Sequence, residues 1–476
     1  MEKSPEEPPQ TLASTTVLVS EAHEHDVQLA YQWPKKKKFI VASVYCLAMS
    51  NSTLASSLPG GTSVYLRSYF SITDPLLAAL PTSMYLVGYV VGPLFFAPLS
   101  ERFGRKPMIL LSHILFTCAT LGCALSPSFQ ILVFFRAIAG VGGATPISLI
   151  GGVYSDLYAD QRVRGRATAA YSVITTIPIT MGPTMFGYVS LAGWRWSFYL
   201  SAIIAGCTLL LLVLVPETYA PILLVRKAPH SAAKSPGETN IFHILFVSVS
   251  RPIKMLFTEP IVIFSTMYVS LIFAVLFLFF QAYPFIFRGV YSMSPPTAGL
   301  ALIPIGVGCI FGMAIFLWWD NKLHEAKRRG EPWSYKEEYQ RLPLACGAGP
   351  ALAASIFWLA WTCRADIHWI VPMLAGLPFG AAYIVIFIAF FNYLTDAYKT
   401  YSASAMAAAS CGRSLTGALL VLAADSMYQH LGPSWATTVP ALASLAMVPI
   451  PFVFIRYGDS IRGRSRICQE LNKAGM

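Results

Sequence analysis

The sequence predicts an all-α membrane protein with twelve transmembrane helices in two six-helix bundles. Three observations predict it. Charged residues make up 12% of the 476, about half the share found in soluble domains. Apolar stretches long enough to cross a bilayer, about 20 residues each, recur twelve times along the chain. Lys and Arg gather in alternate connections between those stretches, as they do in multi-span proteins. With 55% hydrophobic residues and a mean hydropathy of +0.57, the chain lacks the polar side chains to cover a soluble surface. The same composition excludes a disordered protein, a coiled coil and a small disulfide scaffold.

The elements follow in order. Residues 1–37 are polar and read as a disordered cytoplasmic tail. No apolar run lies near Met1, so no cleavable signal peptide is expected. A basic run, Lys35–Lys38, leads into the first span. Spans are predicted near 39–58, 75–98, 107–126, 129–154, 166–191 and 196–215. A second set is predicted near 259–287, 295–318, 343–363, 368–393, 400–425 and 435–456. The longest connection, 216–258, reads as a cytoplasmic linker loop between a bundle over 38–215 and a bundle over 259–456. The similar halves suggest an internal duplication. Residues 457–476 read as a second cytoplasmic tail. Asn51-Ser52-Thr53 is a glycosylation sequon inside a span, where no modification is expected.

Charge sets the orientation. With the N-terminal tail in the cytoplasm, Arg67, Arg195, Arg288 and Arg364 fall outside, and Arg136 and Arg413 fall within spans. That leaves 28 of the 34 Lys and Arg on the cytoplasmic side. The formal net charge of +11 therefore reports topology and contact with acidic lipid headgroups, not nucleic-acid binding. Nine cysteines are scattered, with no Cys-x-x-Cys and no Cys/His cluster at zinc spacing, so neither a metal site nor a cofactor is predicted.

The connection after the second span reads Ala97-Pro98-Leu99-Ser100-Glu101-Arg102-Phe103-Gly104-Arg105-Lys106-Pro107. An acid, then a base, then a glycine and two bases is dense for so short a loop. Glu101 could face a helix N-terminus or an arginine, and Gly104 permits a tight turn. A plain basic loop would explain the charge but not Glu101 and Gly104. The segment resembles the signature loop of the major facilitator superfamily, Gly-x-Leu-Ala-Asp-Arg-x-Gly-Arg-Lys, with Ala97 in place of the first Gly and Glu101 in place of Asp. It is similar in form to the fungal twelve-span drug:proton antiporters. Arg136-x-x-x-Gly140-x-Gly142 resembles a second family motif. Gly182-Pro183-x-x-x-Gly187 resembles the antiporter motif with one Gly missing. Pro216-Glu217-Thr218-Tyr219, Arg341-Leu342-Pro343 and Phe391-Asn392-Tyr393-Leu394-x-Asp396 also resemble the fungal group. The resemblance covers about residues 38–466.

The resemblance implies roles residue by residue. Glu101, Arg102, Gly104 and Arg105 would form a cytoplasmic gate with Asp156, which could otherwise merely cap a helix end. Gly182 and Pro183 would kink the fifth span, and Gly140 and Gly187 would serve packing. Gly88/Gly92, Gly308/Gly312 and Gly376/Gly380 have the spacing for close helix contact.

Arg136 lies about 7 residues into its span, roughly 10 Å deep, and Arg413 about 13 residues, roughly 20 Å deep. Ionisable residues at such depth are functional candidates, although either arginine could be a structural cation bonded to carbonyls. Every Asp and Glu lies in a tail, a loop or near a span end. His113 is the one His well inside a span and reads as a packed residue. Gln281 stands where related fungal proteins commonly carry Glu, and Gln cannot titrate. A cavity lined by Asn51, Tyr85, Gln281, Tyr283 and Asn392 with Arg136 and Arg413 would suit an anionic or amphiphilic small molecule.

The function implied is export of drugs or secondary metabolites across the plasma membrane by alternating access, driven by protons. Both termini would be cytoplasmic and the unit a functional monomer. The rival is import or facilitated diffusion of a small organic acid with weak or no proton coupling. A vacuolar or other internal membrane is the rival location. No phosphate loop, His-Glu-x-x-His or Gly-x-Ser-x-Gly occurs, so an ATP-driven pump and an enzyme are not expected.

Overall fold

A computed structural model of the chain describes residues 29–227, 241–398 and 402–465. Among the described residues the secondary structure is helical and no strand occurs. The first six long helices are α1 (Lys35–Tyr69), α2 (Pro75–Phe103), α3 (Arg105–Leu125), α4 (Phe129–Leu157), α5 (Gln161–Val189) and α6 (Trp194–Leu214). The second six are α7 (Pro260–Gly289), α8 (Pro295–Arg328), α9 (Pro343–Thr362), α10 (Ile370–Tyr398), α11 (402–431) and α12 (433–464). Among the described residues, ten helical stretches are long and apolar enough by themselves to cross a membrane. One of these, Ser404–Gly458, turns back at Gly432 (φ 74°) and so supplies both α11 and α12.

Helix α5 is too polar to meet that standard. It lies inside the assembly, between α1 and α8. Four of its hydroxyls are spent locally: Thr168, Ser172, Thr176 and Thr180 each donate to a carbonyl three or four residues back, which removes their need for water.

Local chemistry starts the helices. Asp74 accepts from Leu76 N at 2.8 Å ahead of α2, and Asp160 accepts from Arg162 N at 2.9 Å ahead of α5. Helix α1 continues well past the predicted end at 58, through Pro59-Gly60-Gly61 to Tyr69. Pro59 has no amide hydrogen for the Ala55 carbonyl. Arg136 supplies one instead, with Nη1 at 3.0 Å from Ala55 O.

The two halves repeat one packing scheme. In the first, α1 packs on α5 and α6, α2 on α4, and α3 on α4 and α6. In the second, α7 packs on α11, α8 on α10, and α9 on α10 and α12. Equivalent glycines make equivalent close approaches. A Cβ on Gly88, Gly92 or Gly140 would strike backbone across the α2–α4 contact. A Cβ on Gly308, Gly312 or Gly380 would strike backbone across the α8–α10 contact. The halves meet where α2 lies on α11 and α5 lies on α8.

Three predicted boundaries change. Residues 29–37, assigned to a disordered tail, hold a short 3-10 helix (Ala30–Gln32), a buried Trp33 and the first turn of α1. Trp33 is held because Lys37 Nζ sits 4.0 Å over its ring. The linker 216–258, read as a loop, contains helices Ala220–Lys227 and Ile241–Thr258. The C-terminal tail begins later than 457, since the last helix runs to Arg464. The remaining tail residues, 1–28 and 466–476, lie outside the described residues, as do 228–240.

Candidate functional site

On the face that carries Lys35, which the predicted orientation makes the inner face, the α2–α3 connection closes around one carboxylate. Gly104 adopts φ +104°, a value that L side chains rarely take. A Cβ there would also meet Glu217 Oε2. Glu217 is 5% exposed. Its Oε1 accepts from Arg105 N (3.1 Å), Thr218 N (2.9 Å) and Tyr219 N (3.0 Å), and its Oε2 from Lys106 N (3.0 Å). An anion at the N-terminus of α3 is held by free amide hydrogens and by the helix dipole. Glu217 was not among the predicted gate residues. The signal for it was the Pro216-Glu217-Thr218 segment, seen only as a family resemblance.

Arg105 is the pivot of this corner. Its Nη1 donates to Ser100 Oγ at 3.1 Å, its Nε lies 3.7 Å from Asp156 Oδ2, and its guanidinium lies 5.0 Å from the Tyr219 ring. Burial raises the pKa of the Tyr219 hydroxyl and the nearby Glu101 charge adds to that, while Arg105 opposes both. Asp156 and Arg105 are thus brought together as expected. Glu101 is exposed at the rim, and Arg102 sits 5.8 Å from the Phe103 ring.

The second half repeats the device. Arg341, just before α9, places Nε 2.9 Å from Asp396 Oδ2 at the end of α10. Glu338 Oε1 lies 2.5 Å from Arg462 Nη2.

Ion pairs also cross between the halves. On the inner face Arg162 Nε lies 3.2 Å and Arg166 Nη2 2.7 Å from Asp320 Oδ2. The same two arginines donate to Asn321 Oδ1 at 3.0 and 2.6 Å. On the outer face Arg67 of α1 pairs with Asp425 of α11. Between these ends α2 and α11 are stitched by Ser83 Oγ to Ala418 O at 3.1 Å and by Cys411 Sγ to Val90 O at 3.6 Å.

The antiporter-like segment lies in this seam. A Cβ on Gly182 would strike Ser57 of α1. Pro183 and Thr184 lie against Gly299 of α8, and Gly187 lies against Pro296 just before the α8 turn that carries Gly299. The fifth span therefore contacts α1 on one side and the opposite half on the other.

The interior holds two arginines. Arg136 is 1% exposed. It donates from Nε to Pro81 O at 2.8 Å and from Nη1 to Ala55 O, and it lies 4.3 Å from the Tyr85 ring. Tyr85 Oη donates to Ser52 O at 2.9 Å, and Ser52 Oγ lies 2.6 Å from Tyr89 Oη. Arg413 is 2% exposed and lies among Phe273, Phe387 and Phe391.

The other predicted cavity residues scatter. Asn51 Nδ2 donates to Thr208 Oγ1 at 2.5 Å and clamps α1 to α6. Asn392 lines a small cleft with Phe316, Trp319 and Arg341 beside the Arg341–Asp396 pair. Tyr283 is buried between Phe279 and Phe287, each 5.4 Å away by ring centroid. Gln281 is half-buried in the outer part of α7. His113 is packed, with Nε2 3.2 Å from Ala205 O. Among the described residues no group of His, Cys, Asp and Glu could hold a metal ion.

Residues 40–421 match the family model of the Major Facilitator Superfamily. The chain is 34% identical over 458 residues to the major facilitator superfamily multidrug transporter mdrA of Aspergillus fumigatus, covering 93% of this chain and 74% of that protein. It is 34% identical over 461 residues to the efflux pump FUBT of Fusarium oxysporum, covering 94% and 76%. Among solved structures it resembles the xylose transporter XylE from E. coli in a partially occluded inward-open conformation. That match has a TM-score of 0.67 and 17% identity, and covers 89% of this chain and 98% of the other.

Proposed function

The chain belongs to the major facilitator superfamily of membrane transporters, and on that premise we propose that it exports small organic compounds, drugs or secondary metabolites, by proton-coupled alternating access. The observation that carries export is the 34% identity, across more than nine-tenths of the chain, to proteins named as a multidrug transporter and an efflux pump.

The geometry suits the mechanism. Alternating access needs two bodies that part on one face at a time. The repeated halves are such bodies, and their seam carries an ion-pair latch at each face. Opening inward separates Arg162 and Arg166 from Asp320, and opening outward separates Arg67 from Asp425. The Arg105–Asp156 and Arg341–Asp396 pairs lie within one half each and keep the inner ends of neighbouring helices together.

Protons act at the ends of the seam in this reading. Among the described residues, the titratable groups within electrostatic reach of the interior arginines are tyrosines and cysteines. Asp425 is the acid of the outer latch. Loss of the Arg67–Asp425 pair favours the outward-open state. The protein acts as a monomer in the plasma membrane with both termini inside.

The test is expression in yeast lacking its own efflux pumps, with accumulation of drugs, organic acids and metabolites measured with and without a protonophore. Lower accumulation that the protonophore restores is the expected result. Higher accumulation, or one indifferent to the protonophore, would favour the importer or facilitator reading, which Gln281 in place of an acid motivates.

A further inference from the structure

The interior cations are left unbalanced by everything described so far. Arg413 Nε has no hydrogen-bond partner. Its guanidinium lies 4.9 Å from the Phe273 ring, 5.4 Å from Phe387 and 5.6 Å from Phe391. The groups within its electrostatic reach are Tyr383 of α10, Tyr89 of α2, Tyr171 of α5 and its own neighbour Cys411. These come from both halves, so Arg413 faces the seam. None is a carboxylate. Arg136 stands in the same relation to Tyr89, from the other half.

Hydroxyls near Arg413 are unsatisfied as well. Tyr171 Oη, Thr266 Oγ1 and Ser270 Oγ are buried without partners. Thr266 and Ser270 lie against Gly412, next to Arg413.

A buried cation without an anion is costly, and arginine cannot shed its proton. Three phenyl faces offset part of that cost, but they accept no hydrogen bond from Nε. The group that fits an unpartnered guanidinium N–H with hydroxyl donors nearby is a carboxylate.

We propose that Arg413 anchors a carboxylate on the transported compound, with Ser270 and Tyr171 as further donors and with the aromatic or alkyl body lying on Phe273, Phe387 and Phe391. The substrate class is an amphiphilic organic acid. Arg136 spends two donors on Pro81 O and Ala55 O and keeps Nη2 without a partner; it adds its field to the site, and the carboxylate anchor is Arg413. The role of the site in transport rests on the export reading above, but binding at the site does not.

The experiment measures binding of 1-pyrenebutyric acid and its neutral amide to the purified full chain, by tryptophan-to-pyrene energy transfer. Wild type should bind the acid about tenfold or more tighter than the amide, the worth of a hydrogen bond to a charged group. Arg413→Gln should lower acid affinity to that of the amide and leave the amide unchanged, and Arg413→Lys should retain part of the preference. Ser270→Ala should reduce the preference about threefold, the worth of one neutral donor, and it carries the test if the arginine variants aggregate. A wild type without preference, or a preference that survives Arg413→Gln and Ser270→Ala, overturns the site. Efflux of both compounds from loaded vesicles separates the two readings. Acid preference without efflux supports the site and overturns export, whereas efflux without acid preference overturns the site alone.

Discussion

Replacing Asp320 by Asn removes the charge of the inner latch and keeps its shape. The carboxylate is 14% exposed, and its two partners, Arg162 and Arg166, are 32% and 37% exposed at 3.2 and 2.7 Å. Two unit charges about 3 Å apart attract by roughly 5 kcal/mol at an effective dielectric near 20. Both arginines are about a third exposed, so salt and water screen them, and Asn still accepts one hydrogen bond. The net loss is then about 1–2 kcal/mol. That shifts the ratio of inward-closed to inward-open molecules by roughly 5- to 30-fold. Spin labels at Arg164→Cys and Lys322→Cys, in a chain with its native cysteines replaced, would read it by electron–electron distance measurement. Asp320→Asn should raise the long-distance population by about that factor. The charge swap Asp320→Arg with Arg166→Asp should return part of the short one. An unchanged distance distribution in Asp320→Asn would refute the latch, because the geometry leaves no other role for that charge.

Glu217→Ala should lower the melting temperature in detergent, because it strands four amide hydrogens at about 1 kcal/mol or more each; an unaltered melting curve would deny that this carboxylate holds the corner. Asp425→Asn removes the negative charge of the outer latch and should raise the outward-open population read by spin labels on that face, whereas an unchanged distance distribution would exclude the Arg67–Asp425 latch. Gln281→Glu should steepen the dependence of transport on external pH if position 281 controls coupling, and an identical profile would sink the idea. Gly140→Leu and Gly380→Leu should each cost monodispersity on gel filtration, since both glycines face backbone across a helix contact; a monodisperse, active Gly380→Leu would show that the α8–α10 approach is not needed.

Apolar run length and the placement of Lys and Arg pointed to an all-helical, many-span membrane protein, because a bilayer dictates helix length and loop charge locally. Local chemistry also marked Gly104 as a turn residue, and its φ of +104° agrees. The boundary errors share one physical reason. The span from Lys35 outlasted its apolar core because Arg136 satisfies the carbonyl that Pro59 orphans, and the linker helices form on the bundle's inner face. Neither fact is local.

The site was less legible for the same reason. The sequence paired Arg105 with Asp156 through a motif, and the structure brings them together. It could not find Glu217, which reaches α3 across more than a hundred residues, or the Arg162–Asp320 and Arg67–Asp425 latches, whose partners lie in different halves. It grouped Asn51 and Asn392 with the cavity as amide side chains within spans, whereas helix rotation turns one toward α6 and the other toward a cleft between α8 and α9. Depth in the membrane is written in the sequence as distance along a helix. Which neighbour a side chain meets at that depth depends on how the helices are rotated and packed, and only the tertiary structure decides that.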